Sequence, residues 1–195
     1  MKLPLLVCSL AFSISTIASA CMAEPQEYLL APKWSQVVFS YDHLGFSRTT
    51  GMFSGIEGKI SFDDEDPAAS SVSVSFPVLA LFTGLEQRDA NFTSGGDFFV
   101  ATDESQIKFN STDIDVTGEK TAKISGELTM NGRTQSVVLD AKLNKLAFHD
   151  KEQKDWIGFD ATTSLLRSEF GLGKYAPGVG DKVDISISIE AMKAD

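Results

Sequence analysis

The chain has 195 residues, 43% hydrophobic and 10% aromatic, with 27 acidic against 17 basic side chains and a net charge of −10. The length fits one domain and the hydrophobic share excludes a disordered chain. The acidity argues against nucleic acid or an anionic membrane surface as a partner, because both recruit clustered Lys and Arg. Phenylalanine is the compositional outlier, with 14 residues beside 2 Trp and 3 Tyr.

In chain order, the first element is an address. Met1-Lys2 is a short positive start, an apolar run follows over residues 3–17, and Ala18-Ser19-Ala20 is the small-x-small pattern that signal peptidase reads. This predicts a secretory signal over residues 1–20, cleaved on export to the periplasm. The run is too short and too rich in Ser for a membrane span. Cys21-Met22-Ala23 offers a second cleavage site. Losing residues 1–20 removes Lys2 and Cys8, which takes the charge to −11 and leaves Cys21 as the only cysteine. No internal disulfide is then expected, and the mature chain must rely on its core. Cys21 also allows a lipid anchor as a lesser alternative, although Ala18 stands where a bacterial lipobox usually carries Leu.

Residues 21–27 read as an extension, and residues 28–195 as the folded domain. Here the hydrophobic pattern has period two. Val72-Ser73-Val74-Ser75-Phe76 and Ile185-Ser186-Ile187-Ser188-Ile189 alternate cleanly. Eight strands are predicted, over 36–41, 53–62, 72–76, 106–112, 121–130, 136–146, 156–165 and 185–189. Asn131-Gly132 is a strong hairpin signal, because a type I′ turn needs positive φ at both central positions. Residues 63–67, 117–119 and 149–154 read as loops. Residues 84–92 read as a short helix or turn, and the Gly-rich stretch 170–180 as a long ordered loop. Eight strands with no long helix predict an all-β antiparallel barrel or sandwich; a barrel of that size is just wide enough to hold one small ligand.

Little points to catalysis. There are two histidines, His43 and His149, and no clustered metal ligands, so no metal or other cofactor is expected. No Gly-x-Ser-x-Gly elbow, P-loop or dinucleotide fingerprint occurs. Arg88-Asp89 allows two readings: an Arg poised to grip a phosphate or carboxylate, or an ion pair that staples a loop. Ten of the 14 Phe fall between Phe39 and Phe109. They suit either a packed core or an apolar cavity for a long hydrocarbon.

Five blocks in order then carry a resemblance. They are Asp42-His43-Leu44-Gly45-Phe46-Ser47 with Gly51-Met52-Phe53; Pro67 with Ser70-Ser71-Val72; Thr83-Gly84, Arg88-Asp89 and Asp97-Phe98-Phe99; Gly126 with Leu128 to Thr134; and Arg167-Ser168-Glu169-Phe170-Gly171-Leu172 with Gly178-Val179-Gly180-Asp181. From about Tyr28 to Met192 the chain resembles the YceI-like family of periplasmic polyisoprenoid-binding proteins with a lipocalin-like barrel. The resemblance implies an eight-stranded antiparallel barrel with an elongated apolar cavity. Its ligand would be an isoprenoid, a quinone-type molecule or a fatty amphiphile, held without catalysis.

Candidates for the polar end of the cavity are His43, Arg88, Asp89 and Asn91; for its wall, Phe46, Phe53, Phe76, Phe98 and Phe99. The chain departs from the family at Ala31, Trp34 and Ser35, where Asp-x-x-His-Ser is common. It departs again at Ala90-Asn91-Phe92, after Arg-Asp, where x-His-Leu is usual. Two readings compete with a binding protein: a lipid-modifying enzyme using the same cavity, and a stress or interaction protein with a merely packed barrel. An exposed strand edge leaves room for a homodimer.

Overall fold

The computed structural model describes residues 24–94 and 96–195. The expected signal segment, Cys8 and Cys21 lie outside the described residues. Among the described residues eleven strands form: β1 (Gln26–Leu30), β2 (Gln36–His43), β3 (Ser47–Phe53), β4 (Glu57–Phe62), β5 (Ser71–Pro77), β6 (Leu81–Phe82), β7 (Gln106–Gly118), β8 (Thr121–Met130), β9 (Arg133–His149), β10 (Lys154–Leu166) and β11 (Val179–Lys193). Among the described residues one α-helix, α1 (Glu86–Thr93), falls where the sequence breaks its alternation. Among the described residues, no helix is long and apolar enough to cross a membrane.

All the strand pairings are antiparallel, and eight strands close a ring in the order β1, β4, β5, β7, β8, β9, β10, β11 and back to β1. β2, β3 and β6 extend the same wall. β1 and β2 run along one edge of β11, β1 beside residues 191–193 and β2 beside residues 179–188. Between them Pro32–Trp34 makes a 3-10 turn, which fits a proline that has no N–H to give to a ladder. Buried Ser35 stitches this turn to β11, donating to the carbonyls of Ala31 and Glu190 and accepting from the Glu190 N–H. The predicted strand over 53–62 is in fact two, because the chain leaves the ladder at residues 54–56 between β3 and β4. The strands at 26–30, 47–53 and 81–82 lack a clean alternation and went unpredicted.

Inside the ring the period-two pattern does the sorting. Ile185, Ile187 and Ile189 of β11 face inward, as do Val137, Leu139, Ala141 and Leu143 of β9. The ring is filled by side chains and space together, not by side chains alone. Gly51 contributes to this arrangement. It sits directly across from Phe39, and a Cβ there would lie 2.4 Å from Phe39 Cζ. The ring of Phe39 therefore lies back against the wall of the barrel.

The β8–β9 turn adopts the expected conformation, with φ of 52° at Asn131 and 70° at Gly132. Asn131 also donates its side-chain amide to the Phe170 carbonyl, 3.0 Å away. Gly132→Ala puts a Cβ into the left-handed region and is expected to cost about 1–2 kcal/mol. A urea titration should show the midpoint falling with an unchanged slope.

Candidate ligand-binding cavity

A cavity of about 290 Å³ runs along the barrel. A single water needs only ~10–15 Å³. Nine phenylalanines line it: Phe39, Phe53, Phe62, Phe76, Phe92, Phe98, Phe99, Phe109 and Phe159. Aliphatic side chains from β4, β5, β7, β8, β9, β10 and β11 complete the wall. Several inward residues, among them Phe39, Val72, Val74, Leu128 and Ile185, are only half-buried although they pack on the core. What they face is the empty lumen.

The lumen has room because of a row of small residues. Ala122 of β8 pairs with Ala141 of β9, and Ala141 pairs with Ala161 of β10. Three adjacent strands thus present only methyl groups at one level. β4, half-way around the ring, contributes Ile60 and Phe62.

The two ends of the cavity differ. At the β7–β8 hairpin the lining residues Glu119, Lys120 and Thr121 are themselves exposed, and this end opens to solvent. At the opposite end α1 and the segments that follow it form a plug. Phe92 meets Tyr41 edge-on at 6.2 Å between centroids and Phe98 at 4.8 Å. The backbone bonds Phe99 N–H to Phe92 carbonyl (3.0 Å) and Ala101 N–H to Thr93 carbonyl (2.8 Å) hold the plug together. Lys174 and Tyr175 both donate to Asp97, which ties residues 171–178 across the top. These two hydrogen bonds, Lys174 first, hold the Asp97 carboxyl below its ordinary range. The tie is therefore complete at neutral pH and released only as acid protonates Asp97.

Arg167 sits in this plug and is buried, with 6% of its surface exposed, while lining the apolar cavity. It follows β10 on the inward face, two residues after Leu165. Its Nε donates to the Gly180 carbonyl (2.9 Å), Nη1 to the carbonyls of Lys174 (2.9 Å) and Leu172, and Nη2 to that of Val179 (2.8 Å). Its partners are thus backbone dipoles; among the described residues no carboxylate forms a salt bridge with it. Burial pushes the guanidinium below its ordinary pKa, and the charge of Asp181 opposes that. The Phe98 ring lies 5.7 Å from the guanidinium carbon. Sequence reasoning missed Arg167 as a lining residue, although the alternation Thr163, Leu165, Arg167 pointed to it.

The residues expected at the polar end lie elsewhere. His43 is exposed at the end of β2, and Asn91 is exposed on α1, accepting from Gln87 at 3.3 Å. Arg88 and Asp89 are half-buried on α1, and none of the four lines the cavity. Asp89 does staple a loop, but through Thr83, whose N–H (2.8 Å) and hydroxyl (2.5 Å) both donate to it. No Arg88–Asp89 ion pair forms among the described residues. Asp89→Ala is expected to cost about 1.5–3 kcal/mol, the range for hydrogen bonds to a charged group. Thermal melting followed by circular dichroism measures that loss.

Of the expected wall residues, Phe53, Phe76, Phe98 and Phe99 line the cavity. Phe46 does not: it is 90% exposed at the tip of the β2–β3 hairpin. The alternation runs out at that turn, and nothing there folds its ring inward.

A closed antiparallel ring of eight strands around an apolar lumen defines the class of small β-barrels wide enough to enclose one ligand. Within that class the chain belongs to the YceI-like family, whose domain model matches residues 28–191. It is 35% identical over 161 residues to a UPF0312 protein of Ectopseudomonas mendocina, covering 80% of this chain and 81% of that one. A UPF0312 protein of Pseudomonas putida strain F1 is 32% identical over 185 residues, covering 92% and 93%.

Among solved structures, Burkholderia cenocepacia BcnA superposes with a TM-score of 0.74 at 22% identity, covering 83% of this chain and 99% of that one. The Campylobacter jejuni YceI protein gives 0.69 at 25% identity, covering 79% and 90%. A polyisoprenoid-binding domain from Saccharophagus degradans gives 0.62 at 12% identity, covering 88% and 100%, which is a likeness of fold.

Proposed function

We propose that this protein binds a long hydrophobic molecule, an isoprenoid or a related amphiphile, inside the barrel and carries it through the periplasm. The observation that carries this reading is the continuous apolar cavity, opened by the alanine row and plugged at one end by α1. Each buried methylene contributes about 0.8 kcal/mol, so ten of them outweigh a substantial part of the cost of association. The isoprenoid preference rests on the family and on its Saccharophagus degradans fold neighbour, a polyisoprenoid-binding domain. The periplasmic location rests on residues 1–20.

The proposed role is binding without turnover, in keeping with a lining that excludes both His43 and His149. The test is displacement of the neutral fluorophore N-phenyl-1-naphthylamine from the delipidated full chain. Geranylgeraniol and hexadecanol should each displace it at micromolar concentration or below. Failure of the fluorophore and of both alcohols to bind would overturn the reading.

A further inference from the structure

This inference rests on the proposed function and concerns the head of the ligand. The plugged end of the cavity holds two polar side chains, both more than nine-tenths buried: Arg167, 6% exposed, and Tyr41, 7% exposed. Both line the lumen. Arg167 has five N–H groups. Four are committed to the carbonyls of Leu172, Lys174, Val179 and Gly180, which leaves one on Nη2. The Tyr41 hydroxyl makes no hydrogen bond among the described residues. No sealed side-chain polar atom there is left without a partner, so that hydroxyl faces open space.

The two groups flank β11 at the closed end. Tyr41 and Leu165 both pair with Val183 of β11, and Arg167 lies two residues beyond Leu165. Phe92 and Phe98 pack between them as a continuous aromatic surface. Lys174, Tyr175 and Asp97 of the plug do not line the lumen, and Arg167 has no carboxylate within salt-bridge distance among the described residues.

The lining of this end has two free donors and one positive charge, which Asp181 offsets only from outside the lumen. A neutral head such as an alcohol or an ester would satisfy a donor and add no negative charge beside the guanidinium. A carboxylate satisfies both donors and the charge, through charge-assisted bonds that gain strength in a dry site. We infer that the ligand enters chain-last, with a terminal carboxylate seated on Arg167 and Tyr41 at the plugged end and its apolar tail running toward the β7–β8 hairpin.

The experiment uses the delipidated full chain at pH 8, with N-phenyl-1-naphthylamine as reporter and three sixteen-carbon competitors: hexadecanoate, hexadecanol and methyl hexadecanoate. Hexadecanoate should displace the reporter at a concentration at least tenfold lower than the other two. Arg167 also supports the fold, so Tyr41→Phe carries the mutational arm. It should weaken hexadecanoate by about three- to tenfold and methyl hexadecanoate by less. Equal displacement by all three competitors, or a Tyr41→Phe protein with undiminished preference for the acid, overturns this assignment and leaves the cavity reading standing. A reporter and competitors that all fail to bind overturn both.

Discussion

Ala141→Trp is expected to weaken binding of a sixteen-carbon chain by at least 100-fold while leaving the barrel folded. Ala141 is the middle of the row Ala122–Ala141–Ala161, flanked on both sides by strands that also present only a methyl group. An indole at this position projects into the lumen toward β4, which stands opposite β9 in the ring. A chain that loses room for about four methylenes loses roughly 3 kcal/mol at 0.8 kcal/mol each, which is two factors of ten in affinity. The added ring enters space that is already empty and apolar, so the overpacking penalty of a filled core does not arise. Melting by circular dichroism should therefore stay within a few degrees of the parent, while fluorophore displacement by hexadecanol collapses. Unchanged affinity for hexadecanol would mean that the row does not open the binding space.

Arg167→Met is expected to produce the largest loss of stability. The guanidinium satisfies four backbone carbonyls of the chain that closes the barrel, at Leu172, Lys174, Val179 and Gly180. Methionine fills a similar volume and returns none of those bonds, leaving buried acceptors unpaired. The cost of breaking such a buried charged network is about 3–5 kcal/mol. For a domain of this size each kcal/mol lowers Tm by about 2–4 °C, so a fall of about 6–20 °C is expected. Limited proteolysis should find new cleavage within residues 171–180. Arg167→Lys should rescue little, because an ammonium on a flexible stem cannot reproduce a planar fork of donors.

Much of the barrel is legible in the sequence because period-two alternation is a local signal. Ile185-Ser186-Ile187-Ser188-Ile189 states which side of β11 faces in, and Asn131-Gly132 states where β8 turns into β9. What closes the ring is non-local: Tyr28 pairs with Lys193 and Leu30 with Ala191, contacts between the two ends of the domain that no nearby residue announces. β1 and β3 were missed for a related reason. Their sequences, Gln-Glu-Tyr-Leu-Leu and Ser-Arg-Thr-Thr-Gly-Met-Phe, gain their strand character from neighbours already in place.

The site was read less well than the fold. Chemistry-bearing residues drew attention to His43 on β2 and to Arg88, Asp89 and Asn91 on α1, none of which lines the lumen. Arg167 lay inside a recognised block and on the inward phase of β10, yet a charged residue on a core face is easily read as a surface residue. Its burial becomes intelligible only once the carbonyls of residues 172–180 are seen to wrap it. Tyr41 was likewise passed over beside the more suggestive Asp42-His43. The phenylalanine excess was the better guide, since nine of those rings wall the cavity.

The most direct test of the central claim is native mass spectrometry of the full-length gene product recovered from a bacterial periplasm without delipidation. The account predicts a mass increment of one hydrophobic molecule per chain, released into organic solvent and absent from Ala141→Trp. A wild-type protein that is repeatedly recovered empty, at the bare mass of the chain, would contradict it.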